Sequence, residues 1–167
     1  MKNLQNKTYE YAIKVKTGIV KLSDIPVRFR NSVESLLNNN NDLVNYLRDA
    51  KWQEIKQERD HLEQSGLPFK GSVLDYDMLS VIRLTQAKDG IQEAINLGKI
   101  TEAEATVEWT MQDNSTMELS ISDLQMIPLV AANYSNELHQ KARKYREQIE
   151  GSSDISFINN IKWEKSL

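Results

Sequence analysis

The chain has no cysteine among its 167 residues, which excludes disulfides, thiolate zinc sites and cysteine nucleophiles. Histidine is almost as scarce: His61 and His139 are the only two. The few glycines, including Gly66, Gly71, Gly90 and Gly98, assemble no phosphate-cradling loop of either common type. No stretch approaches the ~18 apolar residues of a membrane span. The opening Met1-Lys2-Asn3-Leu4-Gln5-Asn6 holds no apolar run resembling a signal peptide. Synthesis and folding in a cytosol-like compartment are therefore expected, and the sequons at Asn6, Asn114 and Asn133 carry no weight.

What is present suffices for a core. Hydrophobic residues make up 40% and charged residues 27%, as in ordinary globular proteins. The length fits one domain or two small units, and a unit much below about 70 residues would be marginal alone. The net charge of −3 hides an asymmetry. Residues 1–41 carry seven Lys/Arg against three Asp/Glu, and the remainder fourteen against twenty-one. Opposite signs on two segments suggest two units with different partners.

Tyr9, Tyr11, Ile13 and Val15 alternate with polar residues, which predicts a half-buried strand. Lys16-Thr17-Gly18 reads as a turn, with Ile19-Val20-Lys21-Leu22 returning as the second arm of a hairpin. A helix follows from Ser23-Asp24-Ile25-Pro26, with Phe29, Val33, Leu36 and Leu37 at helical spacing. The four asparagines at 38–41 propagate neither helix nor strand well and mark a boundary.

Beyond it, a helix is expected from Asp42 to Ser65-Gly66, either continuous or with a break, then a small glycine-centred hairpin over residues 69–74. Asp75 or Asp77 caps the next helix, which closes at Gly98. Residues 106–110 and 116–120 form strands around an Asp113-Asn114-Ser115 turn. Ser122-Asp123-Leu124-Gln125 has the capping-box pattern and opens the longest helix, ending near Glu150-Gly151. Pro128 lies more than a turn inside it, so a kink or a later start is expected there. Residues 152–167 read as an apolar tail beyond a Gly-Ser-Ser hinge. The expected fold is α+β: a β-hairpin and helix, then helix, short hairpin, helix, antiparallel hairpin and long C-terminal helix. The expected domains are a docking unit at 1–41, an α+β domain at 42–151 and the tail at 152–167.

Several pieces carry a resemblance. They are Trp52-x-x-Ile55-Lys56-x-x-Arg59-Asp60, Gly66-x-x-Phe69-x-Gly71, Asp75-x-Asp77-x-x-Ser80-x-x-Arg83, and Trp109-Thr110-x-x-Asp113-Asn114. With the helix entry over 119–127 and the long polar helix, residues 52–150 resemble an uncharacterised domain family of bacteriophage tail and tail-fibre proteins. That resemblance implies a context, a phage virion and its tail, with other tail proteins as partners and synthesis in the host cytoplasm. It implies no chemistry.

The residues themselves point the same way. Glu58-x-x-His61 is half of a di-metal carboxylate signature, but a second Glu-x-x-His is lacking, so a solvated charged helix is expected. Asp75 and Asp77 sit where a helix cap is needed. Asp113-Asn114 reads as turn chemistry. Lys141, Arg143, Lys144 and Arg146 surround Tyr145, yet cations suit late helical turns and the surrounding segment is acidic, so nucleic acid is not an expected partner. No catalytic residue, metal or cofactor is expected, and no membrane contact.

One pattern rises above this background. Leu124, Ile127, Ala131, Tyr134, Leu138, Ala142, Tyr145 and Ile149 form a near-heptad seam along the last long helix. Packing on the helix at 79–95 and self-association are both compatible with it, and the expectation favours a homo-oligomer contact of coiled-coil type. The sequence thus suggests a non-enzymatic structural or adaptor protein of a phage tail. The competing readings are a tail-fibre assembly chaperone and a phage protein that binds and inhibits a host enzyme.

Overall fold

The computed structural model describes residues 2–164, and these divide into two compact units. The mixed α+β class expected from the sequence is the one observed: six helices and two antiparallel hairpins among the described residues.

The first unit comprises Met1–Glu58 and Ala142–Leu167. It opens with helix α1 (Lys2–Lys16), where a strand was expected. The alternation of Tyr9, Tyr11, Ile13 and Val15 coexists with a helical set that wins. Ala12 and Ile13 are buried, and Tyr9 stands three and four residues before them on the same helical face. Tyr9 then stacks on Tyr46, ring centroids 4.1 Å apart. The Gly18 turn is accordingly a helix end and not a hairpin. Gly18 takes φ +74° while the Thr17, Gly18 and Ile19 amides donate to the Ile13, Val15 and Lys14 carbonyls.

Helix α2 (Val27–Asn38) follows Pro26 and buries Phe29 and Val33 as expected. The asparagine run is no linker. Asn39 alone separates α2 from α3 (Asn40–Gln64), and its side-chain amide donates to Asp42 at 2.7 Å. Short polar side chains that interrupt a helix interior suit its ends, and here they end one helix and begin another. Helix α3 is continuous over 25 residues, the unbroken one of the two expected forms. The division between units accordingly does not fall at 41, because Leu43, Val44, Leu47 and Ile55 share a core with Ala12, Phe29 and Val33.

Residues 152–164 are likewise part of this core rather than a tail. Asp154 caps a short helix (Ile155–Asn160) by accepting from the Ser156 and Phe157 amides, and Ile155, Ile158 and Ile161 are buried. Arg48 fixes the approach, donating twice to the Ser152 carbonyl at 2.8 and 3.1 Å.

The second unit is Arg59–Lys141. After α3, Gly66 turns the chain at φ +107°, and a Cβ there would stand 2.7 Å from Val73 Cγ1 and 2.8 Å from the Leu74 carbonyl. Only glycine fits both conditions. Strands β1 (Leu67–Phe69) and β2 (Ser72–Leu74) then pair around Lys70-Gly71. Helix α4 (Met78–Asn96) precedes strands β3 (Thr106–Thr110) and β4 (Thr116–Ser120), which pair in the register Trp109↔Met117. The last long helix, α5 (Ile121–Gly151), runs unbroken through Pro128. Its capping box sits two residues earlier than expected, with Ser120 and Asp123 as the reciprocal pair at 3.0 and 3.1 Å. Ser120 and Ser122 both open a fitting pattern, and the Asp123 carboxylate has the further support of Lys70 at 2.6 Å. Leu67, Leu74, Leu84, Met111, Leu119, Leu124 and Ile127 form this unit's core.

Candidate protein-binding surface

The seam on α5 is a real apolar face, and the chain's own residues fill it. Leu124 and Ile127 are buried in the second unit's core, with Ala131 and Tyr134 packed against it. Ala142 and Ile149 are buried in the first unit's core, with Tyr145 packed against that one. Leu138 is buried as well. Of the two arrangements compatible with this seam, intramolecular packing is the one observed. A chain-to-chain contact along it would have to displace the core.

The other sequence candidates have ordinary structural partners. Asp77 is the N-cap of α4: the Ser80 amide donates to it at 2.7 Å and holds its carboxyl below the usual carboxylate range, with help from the Ser80 hydroxyl. Asp113 is lowered by the Ser115 hydroxyl and amide, at 2.6 and 2.9 Å, inside a turn where Asn114 takes φ +63°. His61 is exposed at the end of α3, while His139 lies 3.1 Å from Glu63, which also accepts from Ser135 at 2.6 Å. No acidic or imidazole cluster with metal-binding geometry occurs among the described residues. Within the basic run, Arg146 donates to Glu150 at 2.6 Å and lies over the Trp52 ring, a contact between two helix surfaces.

Three features of the second unit set it apart. The first is its charge: six Lys/Arg against thirteen Asp/Glu, whereas the first unit carries fifteen against eleven. The compact units therefore divide the charge as sharply as the segments expected from sequence did.

The second feature is the outward face of α4. Ser80, Leu84, Ala87 and Ile91 turn inward at helical spacing. Met78 and Ile82, one turn apart, and Leu79 beside them turn outward, with 82%, 47% and 53% of their surfaces exposed. A single exposed leucine means little, but three large apolar side chains in two turns of one helix form a patch that water leaves unsatisfied. On α5 the same unit exposes Met126 and Leu129.

The third is a cleft of about 290 Å³ between the start of α4 and β3, lined by Asp75, Ser80, Arg83, Glu108, Trp109 and Thr110. Five of these belong to the spaced patterns that carry the sequence resemblance. They come from two segments far apart in sequence, 75–83 and 108–110, which the fold brings together. Ser80 is buried, Trp109 half-buried, and Asp75, Arg83 and Glu108 are exposed at the rim. The grouping joins an indole surface, a guanidinium and two carboxylates, a set suited to holding a peptide or polar ligand. The sequence places Asp75 at a helix cap, Ser80 and Arg83 on the helix that follows, and Glu108, Trp109 and Thr110 on a strand, with nothing to join the two groups. The separation of 25 or more residues between Arg83 and Glu108 left no local signal that they share a cleft.

No curated protein and no solved structure matches the chain. A family model does, over residues 46–161, more than two thirds of the length and enclosing the residues 52–150 singled out above. The chain belongs to that family, described as Domain of unknown function (DUF4376).

Proposed function

We propose that this family member is a non-enzymatic contact protein of a bacteriophage tail, a structural or adaptor component that engages other tail proteins through its second unit. The observation that carries the contact role is the outward face of α4, where Met78, Leu79 and Ile82 stand exposed in two turns of one helix. Covering what remains exposed of these side chains, between about half and four-fifths of each, gains a corresponding fraction of the roughly 1.5–3 kcal/mol that full burial of a large apolar side chain is worth. The cleft beside the start of α4 adds directional polar groups that apolar burial alone lacks. The tail context is supported by the resemblance of residues 52–150 to domains of tail and tail-fibre proteins.

The experiment is quantitative mass spectrometry of purified virus particles and of the lysate that produced them. A fixed ratio of this chain to the tail proteins in particles is the expected result. Absence from particles, with the chain bound to a tail protein in the lysate, would replace the structural role with that of an assembly chaperone. Absence from both, with the chain held on a host enzyme, would overturn the reading.

A further inference from the structure

The hairpin β3–β4 has an open edge. The Met111 amide donates to the Ser115 carbonyl at 2.8 Å, and the Ile121 amide to the Ala105 carbonyl at 3.1 Å. Odd-numbered residues along β3 therefore direct their backbone groups to β4, and Thr106, Glu108 and Thr110 direct theirs to the opposite side. The next residue in that even series is met there: the Gln112 amide donates to the Val73 carbonyl on β2 at 2.9 Å. Past that bond the chain leaves β2 through Asp75 toward α4, and the cleft opens beside Glu108 and Thr110. No described group bonds to the backbone of either residue from that side. An unpaired edge of this kind is a template for another strand.

We infer that this edge accepts an extended peptide segment with basic side chains, which lengthens the β3–β4 hairpin by one strand. The inference deepens the contact role proposed above and rests on it. Main-chain bonds to Glu108 and Thr110 supply the attachment, and alternate side chains supply the choice of partner. One row points into the cleft, where the Trp109 indole suits an apolar side chain. The other lies on the outer face beside Glu108 and Glu118. These two carboxylates are register partners and both exposed, so like charges stand directly opposite each other. A lysine or arginine laid along them relieves that repulsion, in a unit that carries an excess of acidic residues. A second copy of the chain fits poorly. Two-fold pairing of β3 about its centre would set Glu108 against the same residue of the copy.

The test uses the full chain and a capped peptide of about seven residues alternating lysine and valine, long enough for one strand. Controls are the same peptide with glutamate for lysine, and one with proline at the central position. Binding is followed by calorimetry, and amide hydrogen exchange is read at residues 106–110. The expected result is binding of the lysine peptide alone, with exchange at Glu108 and Thr110 slowed on binding. The double variant Glu108→Lys with Glu118→Lys should bind it at least about tenfold more weakly and gain affinity for the glutamate peptide. Equal binding of the proline peptide, binding without protection of these amides, no binding at millimolar peptide, or protection of the edge by self-association would each overturn the inference. Such a failure, with capture of tail proteins through α4 intact, leaves the contact role standing.

Discussion

Replacing Ile127 by alanine separates a core helix from an intermolecular seam. Ile127 lies on α5 with 2% of its surface exposed, packed in the core that contains Leu84, Leu119 and Leu124. The change removes three carbon groups at about 0.8 kcal/mol each, and the cavity left behind raises the loss to roughly 2–5 kcal/mol. For a chain of this size each kcal/mol moves the midpoint by about 2–4 °C, so a fall of roughly 4–20 °C is expected. Scanning calorimetry measures it, and sedimentation of wild type and variant reports the mass. A lower Tm with no change in mass is the expected outcome. An unchanged Tm together with a smaller assembly would mean that Ile127 packs between chains, and the assignment of the seam to the chain's own cores would be refuted.

Gly66→Ala should destabilise by about 2–4 kcal/mol, since a strained φ and a backbone clash with the Leu74 carbonyl add together; urea unfolding checks it. Asp77 has a lowered folded-state carboxyl pKa through its bonds from Ser80, so its contribution is present above the unfolded value and lost as pH falls through the folded one. Asp77→Asn should accordingly flatten the acid limb of a stability-against-pH curve. At Asp123, burial opposes ionisation, yet the bonds from Lys70 and Ser120 outweigh it and the carboxyl titrates low. Lys70→Ala should move that titration upward in a carboxylate-resolved NMR experiment, toward the ordinary range.

The sequence was most legible where a local signal had one structural meaning. The strands at 106–110 and 116–120 were readable because Val107, Trp109, Met117 and Leu119 alternate with Thr and Glu, and these short segments offer no competing helical spacing. The end of α5 at Gly151 was equally plain, whereas the cap of α4 was narrowed only to Asp75 or Asp77, of which Asp77 is the one observed. The N-terminal helix was not, because Tyr9 through Val15 satisfies both periods and the decision lies in the Tyr46 and Phe29 rings it packs against, residues from α3 and α2. The asparagine run misled for a related reason. Asparagine disfavours helix interiors but suits their ends, and composition cannot tell a cap from a linker. For the candidate surface, the α4 face was not legible because Leu79 and Ile82 stand in the same apolar series as Leu84, Ala87 and Ile91, and nothing local separates the outward members from the inward ones. Burial of the opposite face, with Ser80 and Leu84, is set by β3, α5 and the packing between them.

The central claim is that the second unit binds tail proteins through the outward face of α4. It is tested most directly by measuring binding of tail proteins from purified particles to the wild-type chain and to Leu79→Asp with Ile82→Asp. Both side chains are about half exposed, so the variant should keep its Tm within a few degrees. This folded variant should lose at least about tenfold in affinity, the effect of placing charge in an apolar contact. Equal binding by the two chains at equal Tm would contradict it.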